Sequence, residues 1–169
     1  MRTIGVVSDT HGLLRPEAME ALQGSDIILH AGDVGELSIL EELSTLAPVH
    51  AVWGNTDSGE VRDAIAHDVM VDLGSDDGLL ADDGPEGPVA YVLHIAEELA
   101  LDPEAAGIDV IVTGHTHLPH VEERDGVLWL NPGSAGPQRF DKPVTVARLR
   151  IEGPEWEVEV IEILEEPED

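Results

Sequence analysis

Seven side chains with metal-binding chemistry, Asp9, His11, Asp33, Asn55, His94, His115 and His117, stand just beyond short apolar runs. Ile4-Gly5-Val6-Val7 leads through Ser8 to Asp9-Thr10-His11, Ile27-Ile28-Leu29-His30 to Ala31-Gly32-Asp33, and Val49-His50-Ala51-Val52-Trp53 to Gly54-Asn55-Thr56-Asp57. Tyr91-Val92-Leu93 precedes His94, Val110-Ile111-Val112-Thr113 precedes Gly114-His115-Thr116-His117, and Val127-Leu128-Trp129-Leu130 precedes Asn131-Pro132-Gly133-Ser134. These donors are carboxylate, amide and imidazole groups without a thiolate, a set that suits Mn, Fe, Co, Ni or Zn better than Cu(I) or Ca. Seven are too many for one tetrahedral ion. Shared between two ions with Asp33 bridging, they give each about four protein ligands plus solvent. Two-metal sites with ions about 3.5–4 Å apart clamp the attacking and leaving oxygens of an in-line displacement. Two divalent ions, two carboxylates and a bridging hydroxide leave roughly +1, a charge that attracts phosphate.

A short apolar run bounded by glycine and polar residues reads as a buried strand. In a layered α/β fold, loops at the carboxyl ends of strands converge on one crevice, so all six motifs are expected to line one site. Between the strands, residues 16–23 read as a helix with Pro16 in its first turn and Gly24 past its end. Leu37, Leu40 and Leu43 mark an amphipathic helix closed by Pro48, and residues 60–66 a short turn or helix. Residues 69–73 and 89–93 are expected as two antiparallel strands joined by an exposed, mobile, Asp- and Gly-rich loop over 74–88, read as a solvated turn rather than a lid. Asp102-Pro103 can cap a short helix before the strand near 109–113. Asp125-Gly126 joins a hairpin, and residues 144–151 and 156–163 form a second antiparallel pair before an acidic tail at 165–169. The early β-α-β-α-β order implies a parallel sheet and the later hairpins a second, antiparallel-rich one, packed together with helices outside.

Length and composition bound the answer. The 169 residues fit one domain over 1–164 plus the tail. With 42% hydrophobic but only 3% aromatic residues, the core must be built from Val, Ile, Leu and Ala. There is no cysteine, hence no disulfide and no thiolate metal site. No signal-peptide pattern and no 18-residue apolar window occur, so cytoplasmic localisation without a membrane partner is expected. Acidic residues number 36 against 8 basic ones, a formal charge of −28, and Lys142 is the only lysine. Such a surface repels itself at low ionic strength and is screened at molar salt, which reads as halophilic adaptation to a salty cytoplasm. The same charge argues against routine nucleic-acid binding. The absence of a Gly-Lys-Ser/Thr phosphate loop excludes nucleotide binding of that kind.

Asp9-Thr10-His11, Gly32-Asp33, Gly54-Asn55-Thr56-Asp57, His94 and Gly114-His115-Thr116-His117, in that order, resemble the signature of the calcineurin-like metallophosphoesterase superfamily. The short length and Asn131-Pro132-Gly133-Ser134 resemble its small YfcE-like phosphodiesterase branch, over residues 3 to about 150. The resemblance implies a four-layer α/β/β/α sandwich of two mixed β-sheets flanked by helices. It implies two divalent ions, manganese first among the candidates: Asp9, His11 and His117 would hold one, Asn55, His94 and His115 the other, and Asp33 would bridge. Asp33, Asn55, Asp57 and His94 are carried over as participants in catalysis. The implied partner is a small phosphoester, hydrolysed by in-line attack of a metal-bridging hydroxide. A homodimer or homotetramer is left open.

Two departures from the family pattern carry consequences. Thr56 stands where many members have a His that protonates the leaving group, and a threonine hydroxyl is no acid near neutral pH. Diesters with acidic leaving groups should be favoured over monoesters, and Asp57 is assigned to orient a metal-bound imidazole or water. Ile95 stands where relatives commonly have Gly, which narrows the pocket or shifts His94.

Each motif also has a plainer explanation. Asp9 and Asp33 could be helix caps, Asn55 a turn residue, Asn131-Pro132-Gly133-Ser134 a tight turn, and the 115/117 imidazoles a surface turn. Arg15 and Arg139 read as surface ion pairs before phosphate contacts. His30, His50, His67 and His120 are taken as ordinary histidines. Rival functions are a scaffold that kept the fold, as the related retromer subunit did, and a metal-dependent nuclease, the latter disfavoured by charge.

Overall fold

The computed structural model describes residues 1–164; the acidic tail expected over 165–169 lies outside the described residues. In chain order the elements are β1 (Arg2–Val7), α1 (Pro16–Ala21), β2 (Ile27–His30), α2 (Leu37–Leu43), β3 (Val49–Ala51), α3 (Gly59–Ala64), β4 (Asp68–Asp72) and β5 (Val89–Leu93). A 3-10 turn, Ala96–Glu98, is followed by β6 (Val110–Val112), β7 (Pro119–Arg124), β8 (Val127–Pro132), β9 (Thr145–Glu152) and β10 (Glu155–Glu162). Two five-stranded mixed sheets run in the orders β10-β9-β1-β2-β3 and β4-β5-β6-β8-β7.

Strands β1, β2, β5 and β6 are apolar without alternation because both their faces are buried. Ile4, Val6, Ile27 and Leu29 from the first sheet meet Val71, Val92, Val110, Val112 and Leu130 from the second in a central core. The intervening positions face outward: Val7 and Ile28 pack under Ala18, Leu22, Ile39, Leu43 and Val61 of the three helices, and Leu93 and Ile111 form an outer cluster on the second sheet. That outer cluster is covered thinly. Asp102 accepts the Glu104 amide on its side chain and the Ala106 amide on its carbonyl, but Gly107, at φ 74°, ends the segment after one turn. The capped helix expected there is a turn, and the layer over the second sheet consists of it and the 3-10 turn.

The last hairpin does not join the second sheet, as the alternation of strands and hairpins implied. Strand β9 pairs antiparallel with β1, with Ile4 opposite Leu149, and so returns the chain's end to the first sheet. The β7–β8 hairpin turns at Asp125-Gly126, both at positive φ, as a two-residue turn of this type requires. The 74–88 loop, expected to be mobile, is tied down by a fully buried Asp72. Its carboxylate accepts the amides of Gly74, Glu86 and Gly87 at 2.9, 2.7 and 3.1 Å, while the Arg2 side chain donates to the carbonyls of Leu73 and Ser75. Among the described residues, no helix is long and apolar enough to cross a membrane.

Candidate metal centre

The loops that leave β1, β2, β3, β5, β6 and β8 are bonded to one another along the edge shared by both sheets. Past the end of β1, the amides of Asp9, His11 and Gly12 continue the parallel ladder onto the carbonyls of Gly32, Asp33 and Val34. The second sheet is joined to the first through the β8 loop: the Ala135 amide donates to Ser8 and the Ser134 hydroxyl to the Asp9 carbonyl, each at a backbone oxygen. Asn131 donates to the Gly114 carbonyl and the Thr116 hydroxyl, so the tight turn expected at residues 131–134 fastens the Gly-His-Thr-His loop. Two glycines permit the close approach. A Cβ on Gly54 would lie 2.1 Å from Asp33 Oδ1, and one on Gly114 2.1 Å from Ser8 Oγ.

All seven sequence-predicted donors meet here. Ligand atoms of Asp9, His11 and His117 lie within 4.8 Å of one another, as do those of Asp33, His94 and His115. In the first group, the Nε2 atoms of His11 and His117 face each other at 3.3 Å and stand 3.7 and 3.3 Å from Asp9 Oδ1. Asp9 Oδ2 accepts the Ser8 hydroxyl and the His115 amide, whereas buried Oδ1 has no hydrogen-bond partner among the described residues. In the second group, Asn55 Oδ1 lies 3.0 Å from His94 Nε2 and 3.1 Å from His115 Nδ1. Asp33 stands between the groups: Oδ1 accepts the Thr56 amide, and Oδ2 is 3.1 Å from His94 Nε2 and 3.7 Å from His11 Nε2.

The backbone is strained where the donors are. Of seven non-glycine residues at positive φ among those described, five are Asp9, His11, Asp33, His115 and His117. Left-handed backbone costs about 1–2 kcal/mol per residue, so the site absorbs on the order of 5 kcal/mol, comparable with the net stability of a whole domain. Such strain persists only where the surroundings over-determine it, here through the loop-to-loop hydrogen bonds.

Electrostatics follow from packing. Burial alone would raise the Asp9 carboxyl, but the adjacent His11 and His117 imidazoles hold it far below the usual carboxylate range. Asp33 behaves likewise: burial raises it, and the His94 and Thr56 hydrogen bonds bring it down further. For His94 burial works downward, yet contact with Asp33 and the charge of Asp9 leave it raised. Its Nδ1–H donates to the Ala31 carbonyl at 2.7 Å, which fixes the ring with Nε2 toward Asp33 and Asn55. Ile95 has not displaced it from the group.

Two expectations need correction, and one plainer explanation falls away. Neither Asp9 nor Asp33 caps a helix, because α1 starts after Arg15 and α2 after Glu36. Arg15 is buried and donates to the Gly136 carbonyl rather than standing on the surface. Asp57, expected to orient an imidazole or a water, instead spends both oxygens on backbone. Its Oδ2 accepts Val34 and Gly54 amides and its Oδ1 the Gly35 amide, at 3.0, 2.9 and 2.9 Å. It thereby locks the Asp33 loop to the Asn55 loop.

His30 went unrecognised as a site-building residue. Fully buried at the end of β2, its Nδ1 accepts the Gly32 amide at 3.1 Å, so Nε2 carries the proton and donates to Thr10 Oγ1 at 3.0 Å. Thr10 then donates to the Val34 carbonyl at 2.8 Å, holding the turn between Asp9 and His11. Burial pushes the imidazole down to about 4 despite the nearby Asp9 and Asp57 carboxylates. A histidine closing an otherwise apolar strand was the available signal, since a buried imidazole must find partners.

The donor set fits divalent ions: converging imidazole nitrogens and carboxylate oxygens, one of them buried and unbonded, would each gain a partner in a cation. Known proteins are similar to the chain in sequence and in fold. A calcineurin-like phosphoesterase superfamily domain model matches residues 1–153. The chain is 37% identical over 164 residues to a protein of Methanothermobacter thermautotrophicus named "Probable metallophosphoesterase", covering 94% of this chain and 91% of that one. In structure it resembles an archaeal phosphodiesterase (26% identity, TM-score 0.70, 94% and 99% coverage). It also resembles the Escherichia coli phosphoesterase YfcE (27% identity, TM-score 0.61, 88% of each chain). A domain match over nearly the whole chain, on two sheets whose strand-end loops deliver this donor set, means that the chain belongs to the calcineurin-like phosphoesterase superfamily.

Proposed function

We propose that the protein is a dinuclear-metal-dependent phosphodiesterase acting on a small phosphoester in the cytoplasm, with manganese as the first candidate metal. The observation that carries this reading is the buried, unbonded Asp9 Oδ1 at the centre of converging imidazole nitrogens, with Asp33 Oδ2 reaching toward both groups. Asp9, His11 and His117 would hold one ion; Asn55, His94 and His115 the other; Asp33 would serve both. Two divalent ions supply Lewis-acid stabilisation of phosphoryl oxygens and, at neutral pH, a nucleophile from water.

The chain's own residues do the rest. The Thr56 amide holds one oxygen of Asp33 so that the other faces the gap, the Ala31 carbonyl fixes the His94 ring, and Ser8 with the His115 amide aims Asp9. Asn55, Thr56 and His115 are exposed, so the ester approaches from that side. Thr56 offers the leaving group no proton near neutral pH, which restricts efficient substrates to those leaving as stable anions. The 8 basic residues against 36 acidic ones make bound metal the main source of positive potential for an anionic ester. We extend the proposal to a salty cytoplasm: stability should rise from low to molar KCl, and a flat melting response would refute that part.

The rival is a scaffold that keeps the fold without turnover. The deciding experiment loads the protein with manganese, zinc, cobalt or nickel and compares bis-p-nitrophenyl phosphate with p-nitrophenyl phosphate. Hydrolysis of the diester above the monoester, lost in Asp9→Asn, supports the phosphodiesterase. Stoichiometric metal binding without turnover of either ester favours the scaffold.

A further inference from the structure

The segment 137–142 is anchored at both ends to the loops that carry the metal-ligand candidates. At one end Gly136 sits so close to the Asp9-Thr10 backbone that a Cβ there would lie 2.4 Å from the Thr10 carbonyl oxygen. At the other end Lys142 Nζ donates to the Thr116 carbonyl at 2.9 Å, between His115 and His117. Within the segment, the Lys142 amide bonds the Arg139 carbonyl and the Gln138 side chain bonds the Lys142 carbonyl, closing a tight turn. Both anchors are residues that separate two metal-ligand candidates.

Two features of that turn have no structural use. Phe140, the only phenylalanine, is 91% exposed and adopts φ 54°. Of the seven non-glycine residues at positive φ among the described residues, five are metal-ligand candidates and Asp125 belongs to a hairpin turn; Phe140 is the remaining one, and a bulky residue there is a genuine outlier. Its neighbour Arg139 makes no side-chain hydrogen bond or ion pair among the described residues. Every other basic side chain has a partner: Arg2, Arg148 and Lys142 bond carbonyls, Arg15 bonds Gly136, Arg124 and Arg150 pair with glutamates, and Arg62 lies over the Trp53 ring. In a chain with 36 acidic residues, an exposed arginine without a carboxylate is left available to an anion from outside.

We propose that Arg139 and Phe140 form a substrate subsite that selects phosphodiesters whose retained ester group, the one that does not leave, carries a planar ring, that ring lying on Phe140 and the guanidinium reaching the ester's anionic oxygens. This rests on the phosphodiesterase reading and adds the substrate class to it. A planar group stacked on an exposed aromatic gains through dispersion and displaced water, and arginine pairs with phosphate through a bidentate fork.

The test uses three diesters with the same p-nitrophenolate leaving group, so that only the retained ester group differs and its intrinsic reactivity cancels between wild type and variant: methyl, phenyl and thymidine 5′ p-nitrophenyl phosphates, with manganese-loaded protein. Phenyl and thymidine esters should exceed the methyl ester in kcat/KM by about five-fold or more, the low end of stacking gains. In Phe140→Ala that ratio should fall toward one. Arg139→Gln should raise KM for all three esters, with partial return in Arg139→Lys. Preference for thymidine over phenyl identifies a nucleoside ester as the source of the ring; equal rates identify a simple aryl ester.

A ratio unchanged in Phe140→Ala overturns the subsite while the phosphodiesterase stands. So does a Phe140→Ala variant that only changes the mass measured by light scattering, which would make Phe140 a contact between copies. If no ester is turned over, the phosphodiesterase reading falls, and calorimetric binding of phenylphosphonate against methylphosphonate still reads the subsite: equal affinities overturn it.

Discussion

Replacing His30 by Gln should change how the protein's stability depends on acid, by an amount fixed by the burial of one ring. The folded chain holds this imidazole at about 4, against 6.5 for an ordinary histidine. Between those pH values the unfolded chain takes up a proton that the folded chain refuses, so stability falls as pH falls. It is fully present above about 6.5 and lost through 4. The shift corresponds to about 3 kcal/mol at roughly 1.4 kcal/mol per pH unit, or a melting shift of roughly 6–12 °C for a chain of this size. Glutamine does not titrate, and its amide nitrogen can replace Nε2–H toward Thr10. It does not also reproduce the acceptor that Gly32 uses, which costs about 1–3 kcal/mol at all pH values. The variant should therefore be the less stable protein at pH 7.5 and should match or overtake the wild type by pH 4. Denaturant unfolding of both proteins at pH 7.5, 6.5, 5.5, 4.5 and 4, with chelator and constant molar KCl, gives the difference curve. Carboxylates common to both proteins cancel in it. A difference that stays flat across this range, or an imidazole titrating near 6.5 by NMR, would refute the account of His30.

Other perturbations test the ties around the centre. Asp57→Asn puts a donor where the Val34, Gly35 and Gly54 amides need acceptors, and should lower stability by about 1–3 kcal/mol; a melting temperature unchanged would show those bonds to be unimportant. Gly54→Ala drives a Cβ into Asp33 Oδ1 and should cut bound metal below two ions per chain by elemental analysis; two ions retained would refute the bridging role. Chelation should lower the melting temperature, since metal at about 100 times its dissociation constant contributes about 2.7 kcal/mol to the folded state. His94 is raised in the metal-free protein and must be neutral to bind, so metal affinity should weaken as pH falls and calorimetry in different buffers should detect proton release. Binding without proton uptake by the buffer would contradict that coupling.

The chemistry of the site was readable from the chain, because strand ends announce themselves locally. An apolar run that stops at Asp9-Thr10-His11 or Gly114-His115-Thr116-His117 names its donors whatever the rest of the molecule does. The two sheets, the three helices and both hairpins were legible for the same reason: each depends on periodicity or turn chemistry within about ten residues. The last hairpin's choice of sheet was not, since β9 carries an alternation that either sheet would accept, and only the open edge of β1 decides it. Asp57 and Asp72 look in sequence like any of the chain's other acids. Their roles come from backbone amides on other loops, brought to them by the packing of those loops.

Sequence alone thus determined which groups the protein presents at its strand ends, and hence the class of ion and reaction they suit. The tertiary structure decided which of them lie close enough to serve a common ion, with Asp9 meeting His117 and Asp33 meeting His94 across gaps of 108 and 61 positions, because such proximity depends on the register of two sheets. It also decided that Asp57 and His30 hold the loops, and that Arg139 and Phe140 stand unengaged, since partners distant in sequence are fixed only when the core closes.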